Sequence, residues 1–188
     1  MKVILASASE RRQELLGRII DSFDIMVSNF DESTVVFDGS IDNYVKEISI
    51  GKALEVKERL DSDAIIISAD TVVTFNGRIL GKPKDEEDAF QMLKSLQGRS
   101  HKVYTGITVI NTKKNIIKQE SVSTEVTFSK ISDDEIIKYI KTGEPLDKAG
   151  SYGIQGKGGV FVESISGCYY NVVGLPLNRL KPILEEIG

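Results

Sequence analysis

The feature that most constrains the fold is a nearly continuous run of apolar and β-branched residues at positions 64–74, bracketed by polar residues. A strand that is covered on both faces has this composition, because neither face meets water. One charged residue, Asp70, interrupts the run. Since burying an unpaired charge is costly, Asp70 needs a partner, a metal or a proton. The run therefore predicts a central strand whose acid is a metal ligand or a general base, the alternative being a carboxylate that caps a nearby loop.

Strand and helix patterns alternate along the rest of the chain, which predicts a mixed α/β fold. Short apolar or β-rich segments predict strands at 2–6, 23–27, 78–80, 102–111, 116–131 and 160–165. Helical spacing predicts helices at 7–20, 41–60, 85–96, 132–142 and 176–187. Ser7 with Glu10, and Ser132 with Glu135, have capping-box spacing. No repeat or linker divides the chain, so we expect a single domain over residues 1–188.

Composition excludes several classes of function. A net charge of −4 disfavours general binding to nucleic acid, which depends on many Lys and Arg contacts to phosphate. A lone cysteine, Cys168, forbids an intramolecular disulfide, and a lone histidine, His101, forbids a zinc site with several His ligands. No apolar run reaches the roughly 18 residues of a membrane helix, and no signal peptide is evident. We therefore expect a cytoplasmic protein without a membrane span.

Two basic segments have the chemistry of phosphate binding. Residues 6–12 (Ala-Ser-Ala-Ser-Glu-Arg-Arg) form a small-residue turn into a helix, followed by Arg11 and Arg12. Free amides and guanidinium groups in such a place attract phosphate oxygens, although a capped surface helix with solvated arginines has the same pattern. Residues 81–85 place Lys82 and Lys84 on a rigid turn before a helix. That arrangement suits polyphosphate as well as an ordinary loop, and it lacks the spacing of a P-loop.

A glycine-rich segment at residues 147–156 contains Gln155, whose amide offers a donor and an acceptor to a base edge. The same segment is also typical of a flexible surface loop. Glu32 and Lys52, taken singly, fit solvated charges. Together these segments supply what a triphosphate hydrolase requires: cations for the phosphates, a carboxylate for a metal or a proton, and an amide for the base.

In order and spacing, these segments resemble the Maf family over essentially the whole chain. The resemblance also rests on Ser-Ala-Asp-Thr-Val-Val at 68–73 and Tyr-Thr-Gly at 104–106. It implies a Maf/ITPase-like α/β fold: a mixed, elongated sheet with flanking helices, two lobes around a central cleft, and a homodimer. It also implies hydrolysis between the α and β phosphates of a nucleoside triphosphate, dependent on a divalent Mg or Mn ion.

The resemblance also implies roles for individual residues. Asp70 matches the proton acceptor, and Asp70 and Glu32 are the candidate metal ligands. Positions tied to substrate choice are matched by Arg12, Thr71 and Gln155. Positions that line the cleft are matched by Ser7, Arg11, Glu32, Lys52 and Lys82.

Gly-Ile-Gln-Gly at 153–156 resembles the branch of the family that takes dTTP and UTP rather than 7-methyl-GTP. The implied role is removal of unwanted or modified nucleotides, with a link to septum formation and cell-division arrest. The alternative is a nucleotide-binding regulator of septum formation that does not turn over its ligand. The carboxylate of Asp70 argues against that alternative, because it would repel a bound polyphosphate without contributing to affinity.

Overall fold

The computed structural model describes residues 1–188. Its strands are β1 (Lys2–Leu5), β2 (Asp24–Ile25), β3 (Ala64–Phe75), β4 (Arg78–Leu80), β5 (Ser100–Asn111), β6 (Ile116–Phe128) and β7 (Val162–Ser166). Its helices are α1 (Glu10–Leu16), α2 (Ile41–Glu58), α3 (Glu86–Leu96), α4 (Asp133–Ile140), α5 (Tyr169–Val173) and α6 (Leu177–Ile187). Short 3₁₀ turns occur at Glu32–Thr34, Glu144–Asp147, Ala149–Ser151 and Lys157–Phe161. None of the helices has the length and apolar character needed to cross a membrane.

The strands form one mixed sheet of seven strands in the order β2-β1-β3-β5-β6-β7, with β4 paired to β3. Strand β1 is parallel to β2 and to β3, whereas β4 is antiparallel to β3 and β7 is antiparallel to β6. The apolar run that predicted a central strand is β3, which is buried over almost its whole length. The predicted mixed sheet with flanking helices is therefore confirmed.

The chain divides into two compact units. Unit 1 consists of Met1–Asp70, Thr105–Val122 and Gly174–Gly188, and unit 2 consists of Thr71–Tyr104 and Ser123–Val173. Each unit has its own buried apolar cluster. The cluster of unit 1 includes Ile4, Ala53, Val56, Ile66 and Ile110. The cluster of unit 2 includes Leu93, Val103, Phe128, Ile136 and Phe161.

Close packing of α2 in unit 1 depends on Gly106 of β5. A Cβ atom at Gly106 would lie 2.3 Å from the carbonyl oxygen of Val45, which belongs to α2. Real side chains do not approach backbone that closely, so any larger residue would push α2 outward. The glycine of the Tyr-Thr-Gly segment thus has a packing role in positioning α2, the helix that carries Lys52.

The predicted capping box at Ser7 and Glu10 is wrong. Helix α1 begins at Glu10, and its cap is Ser9, whose hydroxyl accepts a hydrogen bond from the backbone N–H of Arg12. The hydroxyl of Ser7 is used elsewhere: it accepts from the backbone N–H of Ser9 at 3.2 Å and from the Arg12 guanidinium at 3.3 Å. Helix α1 also ends at Leu16 rather than at residue 20.

The second predicted capping box is confirmed. Ser132 caps α4, and the Glu135 carboxylate accepts from the Ser132 backbone N–H at 2.9 Å. The short helix α5 was not predicted, and the strand predicted at 160–165 forms instead as Val162–Ser166. The segment immediately before it, Lys157–Phe161, is a 3₁₀ turn.

Candidate active site

An ion-pair cluster in unit 1 surrounds the acid of strand β3. The ammonium nitrogen of Lys52, on α2, lies 2.7 Å from an oxygen of Asp70 and 2.7 Å from an oxygen of Glu32. The side chains of Lys52 and Asp70 are only 13% and 11% exposed, whereas that of Glu32 is 53% exposed. The partner that the buried Asp70 was predicted to need is therefore Lys52.

Arg12 is fixed in unit 1 by two hydrogen bonds. Its Nε donates to the carbonyl oxygen of Gly174 at 2.9 Å, and its Nη1 donates to the Ser7 hydroxyl at 3.3 Å. Burial lowers the pKa of Arg12, the negative charge of Asp70 opposes that shift, and the positive charge of Arg11 adds to it. Because Arg starts from a very high pKa, the guanidinium remains charged at neutral pH. Solvated arginines, the alternative allowed by the sequence, do not describe Arg12.

Tyr44 connects this cluster to a cavity in unit 1. Burial raises the pKa of the Tyr44 hydroxyl, and the charges of Asp70 and Glu32 raise it further. The tyrosine also lines a cavity of about 480 Å³, together with Phe30, Val35, Val36, Ile50 and Leu54. Sequence reasoning did not single out Tyr44, since one tyrosine in an amphipathic helix has the pattern of an ordinary core residue.

Unit 2 contains the remaining predicted site residues. Thr71 follows Asp70 directly in β3 and is partly buried. Lys82 and Gln155 are both exposed. The segments that carry them are joined, because the backbone N–H of Gly150 donates to the carbonyl oxygen of Gly81 at 3.1 Å.

The glycine-rich segment is an ordered structure rather than a flexible loop. Gly150 has a φ of 69°, and a Cβ atom there would lie 2.9 Å from the side chain of Val73. The next residues are anchored through Tyr152, whose hydroxyl lies 2.8 Å from Nε2 of His101. Burial lowers the pKa of His101 to about 4, so this histidine is neutral at pH 7. These anchors depend on tertiary contacts and left no signal in the sequence.

Each of the two units contains part of the set of predicted site residues. Unit 1 brings together the charged groups Arg12, Glu32, Lys52 and Asp70 and the hydroxyl of Ser7, with Arg11 close enough to act on the pKa of Arg12. Unit 2 contains Thr71, Lys82 and Gln155.

A family comparison identifies the family of the chain. The family model described as Maf-like protein matches residues 2–187. The chain belongs to the Maf family. The resemblance of the sequence motifs to the Maf family is therefore confirmed.

Curated Maf relatives are similar over their full lengths. One from Clostridium beijerinckii, named dTTP/UTP pyrophosphatase, is 74% identical over 187 residues, which is 100% of this chain and 100% of that protein. A second with the same name, from Clostridium novyi, is 63% identical over 188 residues, covering 100% of this chain and 98% of that protein.

Solved structures support the fold of this Maf chain. The Staphylococcus aureus Ham1 protein has a TM-score of 0.53 and 17% identity, covering 100% of each chain. A HAM1 protein from Coxiella burnetii has a TM-score of 0.50 and 14% identity, covering 99% of each. At these identities the likeness establishes the fold alone.

The Maf chain offers two carboxylates to a metal ion, Asp70 and Glu32, whose oxygens both contact the same ammonium nitrogen. The ammonium of Lys52 occupies the space between those two oxygens, so a metal ion would bind through the other oxygen of each carboxylate. No group of three or more His, Cys, Asp and Glu residues could hold a metal. Mg²⁺ is commonly held by one or two carboxylates together with substrate phosphates. The donor set therefore fits a hard divalent cation that binds with a nucleotide.

Replacing Lys52 by Met should destabilise the protein by about 2–3 kcal/mol, because the nearly buried Asp70 loses its cation. Urea unfolding at pH 7 measures this change. The double variant Lys52→Met/Asp70→Asn should be at least about 1 kcal/mol more stable than the sum of the single changes predicts. Lys57→Met, on the same helix, is the matched control and should have little effect. Additive single changes would show that Lys52 and Asp70 are not energetically coupled.

Proposed function

We propose that this chain is a nucleoside triphosphate pyrophosphatase that hydrolyses dTTP and UTP to the monophosphate and pyrophosphate. The observation that carries the proposal is the cluster in unit 1, in which a buried carboxylate, an ammonium and a guanidinium are fixed together. The choice of substrate is supported by the name of relatives that are up to 74% identical over the full length.

The proposed reaction is a displacement at phosphorus. Water attacks the α-phosphorus, the bond from that phosphorus to the oxygen bridging to the β-phosphorus breaks, and pyrophosphate leaves. Asp70 accepts the proton that the water loses. Such reactions are accelerated mainly by positioning and by stabilisation of charge.

Lys52 and Arg12 have different parts in this scheme. Lys52 holds the Asp70 carboxylate at 2.7 Å and so fixes the group that receives the proton. Arg12 is oriented by the Gly174 carbonyl and the Ser7 hydroxyl, which fixes a permanent positive charge in a partly buried position. Opposite charges interact more strongly there than in bulk water. Arg11 and Lys82 are proposed to add positive charge for the phosphates.

A divalent metal is proposed to complete the site, with Asp70 and Glu32 as its protein ligands. When bound, Mg²⁺ or Mn²⁺ would neutralise charge on the phosphate oxygens. Support comes from the closeness of the two carboxylates, which both lie 2.7 Å from the Lys52 ammonium, and from the hard-oxygen chemistry that these ions prefer.

Base recognition is proposed to depend on Gln155 and Thr71 of unit 2. The exposed amide of Gln155 can donate to a pyrimidine carbonyl and accept from the N3–H of uracil or thymine. A flipped amide would suit cytosine equally, so rejection of CTP falls to Arg12, Thr71 or the backbone of the glycine-rich segment. The amide of Gln155 therefore supports a preference for pyrimidines over purines more strongly than a preference for uracil over cytosine.

The remaining features of the proposal rest on the composition of the chain and on the Maf resemblance. Residues 1–188 would form a single catalytic domain that acts as a homodimer in the cytoplasm, without a nucleic-acid partner. Its role would be the removal of unwanted or modified pyrimidine nucleotides. A regulator of septum formation that binds nucleotide without turnover is the alternative that the first experiment distinguishes.

Asp70→Asn should retain the fold and nucleotide affinity while kcat falls about 10²–10⁴-fold, the usual consequence of removing a general base. Release of pyrophosphate from UTP by purified protein measures this. Asp61→Asn, an exposed acid just before β3, is the control and should match the wild type. A kcat for Asp70→Asn within a few-fold of wild type would remove Asp70 from the mechanism. Binding without pyrophosphate release by the wild type would favour the regulator.

Activity should disappear when EDTA removes divalent metal and return with excess Mg²⁺ or Mn²⁺, because the metal proposed to bind Asp70 and Glu32 would neutralise charge on the phosphate oxygens. Glu32→Gln should raise the metal concentration needed for half-maximal rate. Metal titration of pyrophosphate release checks both. Undiminished activity after exhaustive chelation would contradict the metal proposal.

UTP and dTTP should have higher kcat/KM than ATP or 7-methyl-GTP, because a site built on hydrogen bonds rejects bases that leave its polar groups unpaired. Gln155→Ala should reduce the preference for UTP over ATP by about 10-fold or more, equivalent to about 1.4 kcal/mol. A panel of UTP, dTTP, CTP, ATP and 7-methyl-GTP measures the ranking. A best rate with 7-methyl-GTP would place the chain in the other branch, and an unchanged ranking in Gln155→Ala would show that the amide does not read the base.

A further inference from the structure

Glu144, which no motif singled out, is the centre of a hydrogen-bond network in unit 2. It begins the 3₁₀ turn Glu144–Asp147 and is partly buried. One carboxylate oxygen accepts from the Tyr139 hydroxyl at 2.8 Å and from the backbone N–H of Gly158 at 3.1 Å. The other accepts from the backbone N–H of Lys157 at 2.9 Å. Both oxygens of the carboxylate are thus engaged by groups of the chain, which gives Glu144 a structural role.

The same network reaches the residues on both sides of Gln155. The Tyr139 hydroxyl, besides donating to Glu144, accepts from the backbone N–H of Gly153 at 3.2 Å. Gly153 lies two positions before Gln155, and Lys157 lies two positions after it. Glu144 and Tyr139 therefore fix the backbone that carries the exposed amide.

Close approach explains two glycines of this segment. A Cβ atom at Gly156 would lie 2.4–2.6 Å from the carboxylate atoms of Glu144. A Cβ atom at Gly158 would lie 2.6 Å from the Tyr139 hydroxyl oxygen. The backbone wraps directly around the carboxylate, and larger residues at either position would force it away.

The charge state of Glu144 supports this role. Burial by itself raises the pKa of the Glu144 carboxyl. Hydrogen bonds from Lys157, Gly158 and Tyr139, together with the charge of Lys148, outweigh burial, so the pKa lies below its ordinary value. The group is therefore an ionised acceptor at neutral pH. The stability that it contributes is present above its unfolded-state pKa and is lost as pH falls through the folded pKa.

We propose that Glu144 is a positioning residue that, together with Tyr139, holds the backbone around Gln155 so that its amide is pre-oriented for the base. The base-reading part rests on the proposed function of Gln155. Fixing a recognition group before binding avoids an entropic cost at the moment of binding, so the loss of Glu144 should be felt mainly in KM.

The test compares Glu144→Gln with Tyr139→Phe, Gln155→Ala and the double variant Glu144→Gln/Gln155→Ala. Glu144→Gln keeps the size but places an amide donor where an acceptor is needed. Glu135→Gln is the matched control, since Glu135 is also a carboxylate of the α4 region that accepts a backbone N–H. The readouts are kcat and KM for UTP and ATP, and hydrogen exchange at the amides of Gly153, Lys157 and Gly158.

We expect Glu144→Gln to accelerate exchange at these amides and to lower the UTP-over-ATP preference at least about 10-fold, mainly through the KM for UTP. The double variant should be no less selective than Gln155→Ala alone, because both changes remove the same oriented amide. Glu135→Gln should leave selectivity and these exchange rates unchanged. Wild-type selectivity in Glu144→Gln, or fully additive losses in the double variant, would overturn the proposal.

Two further outcomes are also decisive. If Glu144→Gln does not fold, Tyr139→Phe replaces it, and wild-type exchange and selectivity in that variant would overturn the proposal. If the wild type has no preference among bases, the proposed function of Gln155 fails by itself. Exchange in Glu144→Gln then decides separately whether the carboxylate holds the segment, and unchanged exchange would overturn that part too.

Discussion

The contact on which the site depends is the one between the Lys52 ammonium and the Asp70 carboxylate. The whole residue Asp70, backbone included, is 8% exposed within a strand that is mostly apolar. An unpaired charge there would cost several kcal/mol. Lys52 offsets that cost only if α2 lies close to the sheet. Gly106 permits the approach, because the carbonyl of Val45 occupies the space of a side chain. The Tyr-Thr-Gly segment, remote from Asp70 in sequence, thus supports the same ion pair through packing rather than through chemistry.

Most regular elements could be predicted because their signals are local. The apolar run of β3, the amphipathic spacing of α3 and the box formed by Ser132 and Glu135 each depend on residues within a few positions of one another. The box expected at Ser7 failed because Ser9 caps α1, while the Ser7 hydroxyl accepts from the Ser9 backbone N–H and from the Arg12 guanidinium. Helix α5 has only five residues, too few for a periodic pattern to emerge.

The residues of the candidate site likewise include some that the sequence could predict and some that it could not. The oddity of an acid in an apolar strand identified Asp70, and the family resemblance identified Arg12, Glu32 and Lys52. The sequence did not reveal that Lys52 bridges the two acids, because the pairing joins residues 18 positions apart across different elements. Glu144 and Tyr139 were missed for a stronger reason. Apart from each other, their partners are backbone amides, which every residue except proline has, so no residue type along the chain marks the contact.

The ion-pair cluster and the segment around Gln155 are supported by separate sets of contacts. The ion-pair cluster belongs to unit 1 and is supported by residues such as Ala53 and Ile66, whereas the segment around Gln155 belongs to unit 2. That segment is held by hydrogen bonds that its backbone N–H groups donate to Glu144 and Tyr139, and by the aromatic contacts of Tyr152. A substitution at Gln155 removes none of these contacts, since its side chain is exposed. The residue at position 155 can therefore vary without loss of the contacts that hold its backbone, provided that the glycines around Glu144 remain.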